Sequence, residues 1–409
     1  MMGTPATRPH SSGVMKILHV IASVDPADGG PIEGIIQQNN AMTDSGVREI
    51  VTLDAPDAPF LKNFGMKIHP LGVHPYGGGR KTKWARFAYT PRLVAWLREN
   101  AKQYDIIVVN GLWNYASVGA SRILPRLTAP YVVYPHGMLD PWFRRTYPWK
   151  HLLKQAFWLA FEGRLLRHAA AVLFTCEEEM ILARGQFFGH SYREHVIGYG
   201  TGDAPDDADN QIAAFRAKLP ELGDRRYLLF LSRIHPKKGC DLLIQAFAAA
   251  ANDDPDLHLV IAGPDQTGWM SELQKLAETL NVASRIHWPG MLTGPAKWGA
   301  FRGAEAFILP SHQENFGIVV AEALASHTPV LITDKVNIWR EVEASGAGLV
   351  GPDDQAGVTK LLRSFLELGE ASRSRMRSAA RACFLKNFDL NGSADKMLDI
   401  LKHVTQNAA

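Results

Sequence analysis

The sequence predicts an α/β protein made of two consecutive doubly wound parallel sheets covered by helices. Three observations carry this expectation. From Met15 onward, short apolar runs rich in β-branched residues alternate with longer amphipathic segments. The runs are continuous rather than alternating, as in strands buried on both faces of a parallel sheet. A stretch rich in Gly, Pro and Asp at 198–210 divides the series in two. With 409 residues the chain is long enough for two or three domains.

In the first series strands are expected at 17–22, 50–53, 106–110, 131–134 and 171–174, with a helix starting near Ile32. They define a Rossmann-like domain at 15–200, preceded at 1–14 by a disordered leader that lacks the apolar stretch of a secretory signal. Residues 201–224 read as a linker. Strands at 227–231, 257–262, 286–288, 306–309, 330–332 and 348–350 then fill a second such domain at 225–409. Its last helical stretch, 372–403, is long enough to return over the first domain. Ligands of such sheets bind at the C-terminal strand edges, so two of them in succession are expected to bind in the cleft between them.

Composition narrows the function. A net charge of +3 and a pI of about 8.6 are too slight for a nucleic-acid binder. Cys176, Cys240 and Cys383 are scattered and form no CxxC pair, so neither a disulfide framework nor a zinc site is expected, and a reducing cytosol is the natural compartment. No apolar run reaches the roughly 18 to 20 residues needed to span a bilayer. The Asp-x-Asp pairs at Asp207/Asp209 and Asp254/Asp256 lie in Pro-rich or acidic loops, and no metal is expected there.

After the strand at 306–309 comes Pro310-Ser-His-Gln-Glu314-Asn-Phe-Gly317-Ile-Val-Val-Ala-Glu322. Two carboxylates eight positions apart bracket the start of a helix. Gly317 lets a ligand approach the backbone, and the first helical amides, of Ile318, Val319 and Val320, are expected to lack intrahelical partners while the helix dipole adds positive potential. The layout suits a ligand with hydroxyls at both ends and phosphate in the middle, as in a nucleotide-sugar. After the strand at 227–231, Ser232-Arg233-Ile-His-Pro-Lys237-Lys238-Gly239 places cations before a helix starting near Asp241, where Arg233 and Lys238 can pair with a diphosphate.

With these residues the sequence resembles the retaining glycosyltransferases of family 4, whose architecture, GT-B, is two facing Rossmann-like domains with an interdomain cleft. The resemblance covers nearly the whole chain. It rests on Glu314 and Glu322 with seven residues between them, on Arg233 with Lys238-Gly239, on Gly29-Gly30 after the first strand, on Pro135-His136-Gly137-Met-Leu-Asp140-Pro-Trp142, and on Val336-Asn-Ile-Trp-Arg340-Glu-Val-Glu343. The last two phrases look like the branch that builds exopolysaccharides and O-antigens.

The resemblance implies a metal-independent enzyme without a cofactor. Arg233 and Lys238 would stabilise the diphosphate of the leaving group, Glu322 would take the ribose hydroxyls, and Glu314 would face the transferred sugar, whose other hydroxyls meet the Phe316 and Gly317 amides. Met291 would contact the nucleobase through main-chain atoms, and His136 would contact the sugar from the first domain. With no strand-edge carboxylate to act as nucleophile, retention implies front-face attack, the leaving phosphate taking the acceptor proton. Gly29 and Gly30 would approach phosphate or acceptor groups, although they are not the GxGxxG of dinucleotide oxidoreductases.

The sequence departs from the family in three places. Gly198-Tyr-Gly200-Thr stands where Pro-Asn-Gly is usual, Ser326-His327 where a Gly is common, and Asn110 where His often ends the third strand. Asn110 and Trp113 are expected to help define the acceptor pocket, and His327 to cap the helix bearing Glu322. Residues 141–168 carry six Arg or Lys against one Glu, among them Arg144, Arg145 and Lys150, interleaved with aromatics; 80–87 repeats that composition. Both patches suit an anionic membrane, each cation near its surface contributing about 1 kcal/mol.

The expected activity is transfer of a hexose from a UDP- or GDP-linked donor to a polyprenyl-diphosphate-linked glycan, in bacterial surface polysaccharide synthesis. The expected location is the cytoplasm, peripherally on the inner face of the plasma membrane. A nucleotide-sugar epimerase or hydrolase of the same fold, or a non-catalytic subunit of a glycosyltransferase complex, remains open at this point.

Overall fold

The computed structural model of the chain describes residues 14–26, 30–41, 46–62, 64–74, 87–142, 144, 148–250 and 254–407. The chain forms two compact units, Met1–Tyr199 with Ser393–Ala409, and Gly200–Gly392. Residues 1–13 of the expected leader, Gly29, Arg145 and the basic residues at 80–86 lie outside the described residues.

The first unit is built on β1 (Met15–Ile21), β2 (Gly46–Thr52), β3 (Lys67–Pro70), β4 (Ile106–Asn110), β5 (Tyr131–Tyr134), β6 (Ala171–Phe174) and β7 (Glu194–Val196). They pair in parallel in the order β3-β2-β1-β4-β5-β6-β7. The central strands are buried along their length, which is why their apolar runs are unbroken. The edge strands β3 and β7 are short and half exposed, and the sequence reading missed them for that reason. Leu18, Val20, Val109, Val133 and Phe174 form the core on one face with Trp158. Within this unit Ala394 and Leu398, on the C-terminal helix Leu390–Asn407, pack on Met15 and Ala41.

The second unit contains β8 (Arg226–Leu231), β9 (Leu257–Ala262), β10 (Ile286–Gly290), β11 (Ala306–Leu309), β12 (Val330–Thr333) and β13 (Gly348–Gly351), all parallel in the order β10-β9-β8-β11-β12-β13. In each sheet the chain reverses its direction of travel at one pair of neighbours, β1/β4 and β8/β11. That switch point is where a doubly wound sheet leaves a crevice for ligand.

The expected linker at 201–224 is instead an integral part of the second unit. It forms the helix Ala208–Lys218, whose Gln211 and Phe215 are buried. Phe215 packs against Tyr227 at 5.3 Å between ring centres. A Cβ at Gly299 would lie 1.9 Å from the Gln211 carbonyl oxygen, so glycine alone allows the two helices to approach this closely. The Asp and Pro residues that suggest a linker form its entry: Asp203 Oδ2 takes a 2.6 Å bond from Arg381, and the Pro205 carbonyl accepts from Gln211 at 2.9 Å.

Candidate active site

At the switch point of the second sheet, the loops after β8 and β11 are joined. The chain leaves β8 through Ser232 and Arg233 and makes a single 3-10 turn, Pro236–Lys238, with the His235 ring accepting from the Lys237 N–H at 3.1 Å. The Lys237 carbonyl accepts from the His312 N–H at 2.8 Å and the Ser311 hydroxyl at 2.9 Å, while Lys237 Nζ donates to Gln313 Oε1 at 2.6 Å. Gly239 has φ +66°, and a Cβ there would meet the Pro310 carbonyl oxygen at 2.1 Å. Lys238 is thereby carried onto the loop of Glu314, and its Nζ is ion-paired with Glu314 Oε2.

Glu314 is anchored by its backbone. Its N–H donates to the Lys335 carbonyl at 2.9 Å and its carbonyl accepts from the Asn337 N–H at 3.0 Å, a bridge that aligns it with Val336 beyond β12. Phe316 is buried edge-on against Phe388 at 5.6 Å. Gly317 then turns the chain at φ +80°, and the helix Ile318–Ala325 begins. Ile318 and Val319 open that helix, where N–H groups have no acceptor within it. Val320 departs from the sequence expectation, because its N–H donates to the Gly317 carbonyl at 2.8 Å. Glu322 lies one turn on, its Oε1 accepting from Lys297 Nζ at 2.7 Å.

Lys297 is a site residue that sequence reasoning missed. It sits on the helix Gly294–Arg302 with its ammonium 4.4 Å from the Trp298 ring centre. Its signal was faint, one of two cations, with Arg302, in a short helix that carries no acid. Met291, directly after β10, is 66% exposed. Arg233 is exposed and donates to Gln266 Oε1 at 3.2 Å, so it does not share the Lys238 contact. Here too close backbone approach sets the geometry: a Cβ at Gly263 would fall 1.8 Å from the Ser232 carbonyl oxygen.

In the first unit His136 follows β5 in the left-handed region, φ 52°, with Gly137 likewise at φ 77°. A buried carboxylate holds this strained corner. Glu179 accepts from the Gly137 N–H at 2.6 Å through Oε1, and from the Thr175 N–H at 2.7 Å and hydroxyl at 2.5 Å through Oε2. Nothing in the sequence marked Glu179, since its role depends on β5 and β6 being neighbours. The His136 ring stacks on Tyr134 at 3.9 Å and its Nε2 lies 3.1 Å from Asn110 Oδ1. Burial pushes its pKa down to about 3, so the ring is neutral.

Gly30 starts the helix Gly30–Ala41, two residues before the expected Ile32, and its carbonyl accepts from the Tyr199 hydroxyl at 3.0 Å. A Cβ on Gly30 would meet open space, whereas one on Gly34 would stand 2.5 Å from the Tyr199 oxygen. The close approach therefore belongs to Gly34. Asn110 and Trp113 do not form one pocket as expected. Asn110 ends the fourth strand and is 3% exposed, bonded to His136 and to His19. Trp113 packs on Phe157 and Phe187 under the Lys154 ammonium, its Nε1 donating to the Met138 carbonyl at 3.1 Å.

Arg144 and Lys150 are exposed. On the helix Pro148–Phe157, Trp149, Leu152 and Leu153 turn one face outward, 81%, 60% and 74% exposed, joined by Leu159 and Phe188. The helix continues through a π-helical turn, Trp158–Glu162. Among the described residues no helix is long and apolar enough to cross a membrane, and no group of three His, Cys, Asp or Glu is placed to hold a metal ion. His327, φ 60°, follows the end of the helix Ile318–Ala325 in the left-handed region, which accounts for a glycine being common there.

Comparison with known proteins adds the family. Residues 211–382 match the family described as glycosyl transferases group 1, and residues 38–200 match the glycosyl transferase 4-like domain. A D-inositol 3-phosphate glycosyltransferase of Streptomyces avermitilis is 34% identical over 197 residues, 46% of this chain and 42% of the relative. An alpha-D-kanosaminyltransferase of Streptomyces kanamyceticus is 27% identical over 250 residues, 59% of this chain and 63% of the relative. The chain thus spans only about four-tenths of the length of the inositol-phosphate relatives it matches. Among solved structures, Anabaena Alr3699/HepE in complex with UDP and glucose superposes with a TM-score of 0.72 at 19% identity, over 95% of this chain and all of that one. The fold is therefore that of the two-sheet glycosyltransferases.

Proposed function

We propose that the chain, whose residues 211–382 match the glycosyl transferases group 1 family and residues 38–200 the glycosyl transferase 4-like domain, transfers a hexose, with retention and without a metal or cofactor, from a UDP- or GDP-linked donor to a lipid-linked glycan. The observation that carries this reading is the joined pair of loops after β8 and β11, with Lys238 on Glu314 beside the left-handed Gly317 and the start of a helix. Such a surface offers a phosphate both a fixed cation and unpaired amides.

In this reading Lys238 and Arg233 take up the charge that develops on the diphosphate, the service a metal would otherwise perform. Lys238 exchanges its partner from Glu314 to phosphate, which frees Glu314 for sugar hydroxyls. Glu322, oriented by Lys297, takes the ribose hydroxyls, and the main chain at the exposed Met291 meets the base. His136 and the helix start at Gly30, with its neighbour Gly29, serve the sugar and acceptor side. The acceptor oxygen bonds to C1 as the C1–O bond to phosphate breaks on the same face, and the acceptor proton passes to the departing phosphate oxygen. Solved Alr3699/HepE complexes hold UDP and UDP-glucose, which favours UDP.

The acceptor is read from the first unit. An outward apolar face of Trp149, Leu152 and Leu153, flanked by Arg144 and Lys150, supports peripheral binding to an anionic membrane on its cytoplasmic side. It favours a polyprenyl-diphosphate-linked glycan of surface polysaccharide synthesis over a soluble cyclitol phosphate such as the names of the Streptomyces relatives suggest. The test is thermal shift of the full chain with UDP and GDP, then product analysis of the matching nucleotide-hexoses with and without lipid-linked acceptor and EDTA. An α-linked product from an α-linked donor, undiminished by EDTA, is expected. Sugar released equally without acceptor would replace this reading with hydrolysis, and no response to either nucleotide would leave a non-catalytic subunit.

A further inference from the structure

Three side chains at the switch point of the first sheet stand in a row. Asn110, the last residue of β4, lies between His136 after β5 and His19 on β1. Its amide is oriented by the strand itself: Nδ2 is 3.1 Å from the Val108 carbonyl oxygen, which can only accept, so this end is the NH2. The other end, Oδ1, faces His136 Nε2 at 3.1 Å and is an acceptor only. His136 Nε2 must carry the hydrogen. A neutral imidazole carries one hydrogen, which leaves Nδ1 with its lone pair.

The same reasoning runs inward. Asn110 Nδ2 is 3.3 Å from His19 Nδ1, which therefore accepts, so that His19 Nε2 bears the hydrogen. His19 is 2% exposed and its Nε2 has no partner. It lines a narrow cavity with Gln38, Asn110, Tyr134, His136 and Tyr199 that has room for about one water. Burial first, then the neighbouring Arg48 guanidinium and His136, hold His19 down to about 3, so it too is neutral. The row has one hydrogen order, and a group at its inner end that nothing in the donor chemistry explains.

We propose that Asn110 and His19 are positioning residues that lock His136 as the Nε2–H tautomer, so that its Nδ1 accepts a hydrogen bond from a sugar hydroxyl and cannot donate one. This rests on the glycosyl-transfer reading only for the identity of the ligand. The consequence is selectivity for a hydroxyl group at that point of the sugar over a group that only accepts, such as fluorine or a methyl ether. Asn110 thereby acquires a role different from the acceptor pocket that its position in the sequence suggests.

The experiment is a long-range nitrogen–proton NMR spectrum of the full chain labelled with 15N-histidine, without ligand. His136 is expected with Nε2 protonated and Nδ1 bare from pH 5 to 8. A protonated Nδ1 would overturn the proposal whatever the enzyme transfers. In Asn110→Leu and His19→Phe the His136 signals are expected to show both tautomers, with KM for the nucleotide-sugar raised about fivefold to tenfold, the size of one neutral hydrogen bond. His19→Gln, whose amide oxygen can accept from Asn110 and whose flexibility aids folding if His19→Phe is unstable, should restore the single tautomer. One tautomer persisting in both Asn110→Leu and His19→Phe, with KM unmoved, would equally overturn it. A correct tautomer in a protein that turns over no nucleotide-sugar would sink the transferase reading instead.

Discussion

Lys238 and Glu314, 76 residues apart in the chain, are in direct contact through Nζ and Oε2. The resemblance gave them separate partners, a diphosphate and a sugar, yet each neutralises the other across the β8/β11 switch point. Their side chains are 9% and 22% exposed, so water screens the pair poorly and a competing phosphate meets a desolvated cation. Lys238→Ala and Glu314→Ala are each expected to lower transfer at least about 10²-fold, and the double variant by much less than the product of the two. Single-turnover assays on the three proteins check this. Full activity in both single variants would remove the site assignment.

Gly317 and Gly30 were singled out in the sequence for the same reason, and the structure separates them. At Gly317 φ is +80° and a Cβ would stand 3.2 Å from Glu314 Cγ and 3.3 Å from Val320 Cγ2. Gly317→Ala is expected to cost about 1–2 kcal/mol and to displace Glu314, weakening UDP or GDP binding about tenfold. Gly30 opens a helix with nothing within 4 Å of a Cβ, so Gly30→Ala should change stability by less than about 0.5 kcal/mol. Denaturant titration and calorimetry with the nucleotide distinguish the two. Equal effects would show that close approach does not set the Gly317 turn.

The strands that build the two switch points were legible because they are buried on both faces and read as continuous apolar runs; β9 and β11 fall where the sequence placed them. The β3 and β7 edges were not, since half-exposed strands of four and three residues carry no such run. At the candidate site, local spacing singles out Arg233, Lys238, Glu314 and Glu322, of which the structure brings Lys238 and Glu314 into contact and leaves Arg233 on Gln266. Lys297, Glu179 and His19 act through neighbours brought together by strand order, for which one sequence holds no local sign. The linker expectation failed for a related reason: Asp and Pro mark a helix entry as well as a flexible joint, and only packing of Phe215 on Tyr227 decides between them.

Glu162 sets a pH dependence. Its Oε1 accepts from the Trp113 N–H at 2.9 Å and the Ser117 hydroxyl at 2.8 Å, while Oε2 is buried without a partner. Burial outweighs those bonds and pushes its pKa up to about 7. A carboxyl raised in the folded state stabilises fully below its unfolded value of 4.5, and that contribution is lost as pH rises through about 7. The loss is of the order of 3 kcal/mol at most, from about 1.4 kcal/mol for each pH unit. Glu162→Gln should keep both bonds, flatten the fall in Tm between pH 5 and 8, and be the more stable protein at pH 8. Parallel pH profiles for the two proteins would refute this assignment.

The helix Pro148–Phe157 gives the membrane reading its test. Trp149, Leu152 and Leu153 recur at the spacing that puts side chains on one helical face, and all three point away from the unit's core. Each contributes roughly 1.5–3 kcal/mol if buried in an acyl layer, and each nearby cation about 1 kcal/mol on an anionic surface. Sedimentation with phosphatidylglycerol vesicles should show binding that weakens with salt. Trp149→Glu with Leu153→Glu should abolish it with no change in Tm, because neither side chain supports the fold. Turnover of a short soluble acceptor should persist in that variant while turnover of the lipid-linked one falls at least tenfold. If the natural protein ignores the vesicles, or if both acceptors fall together, the exposed face serves something other than the bilayer.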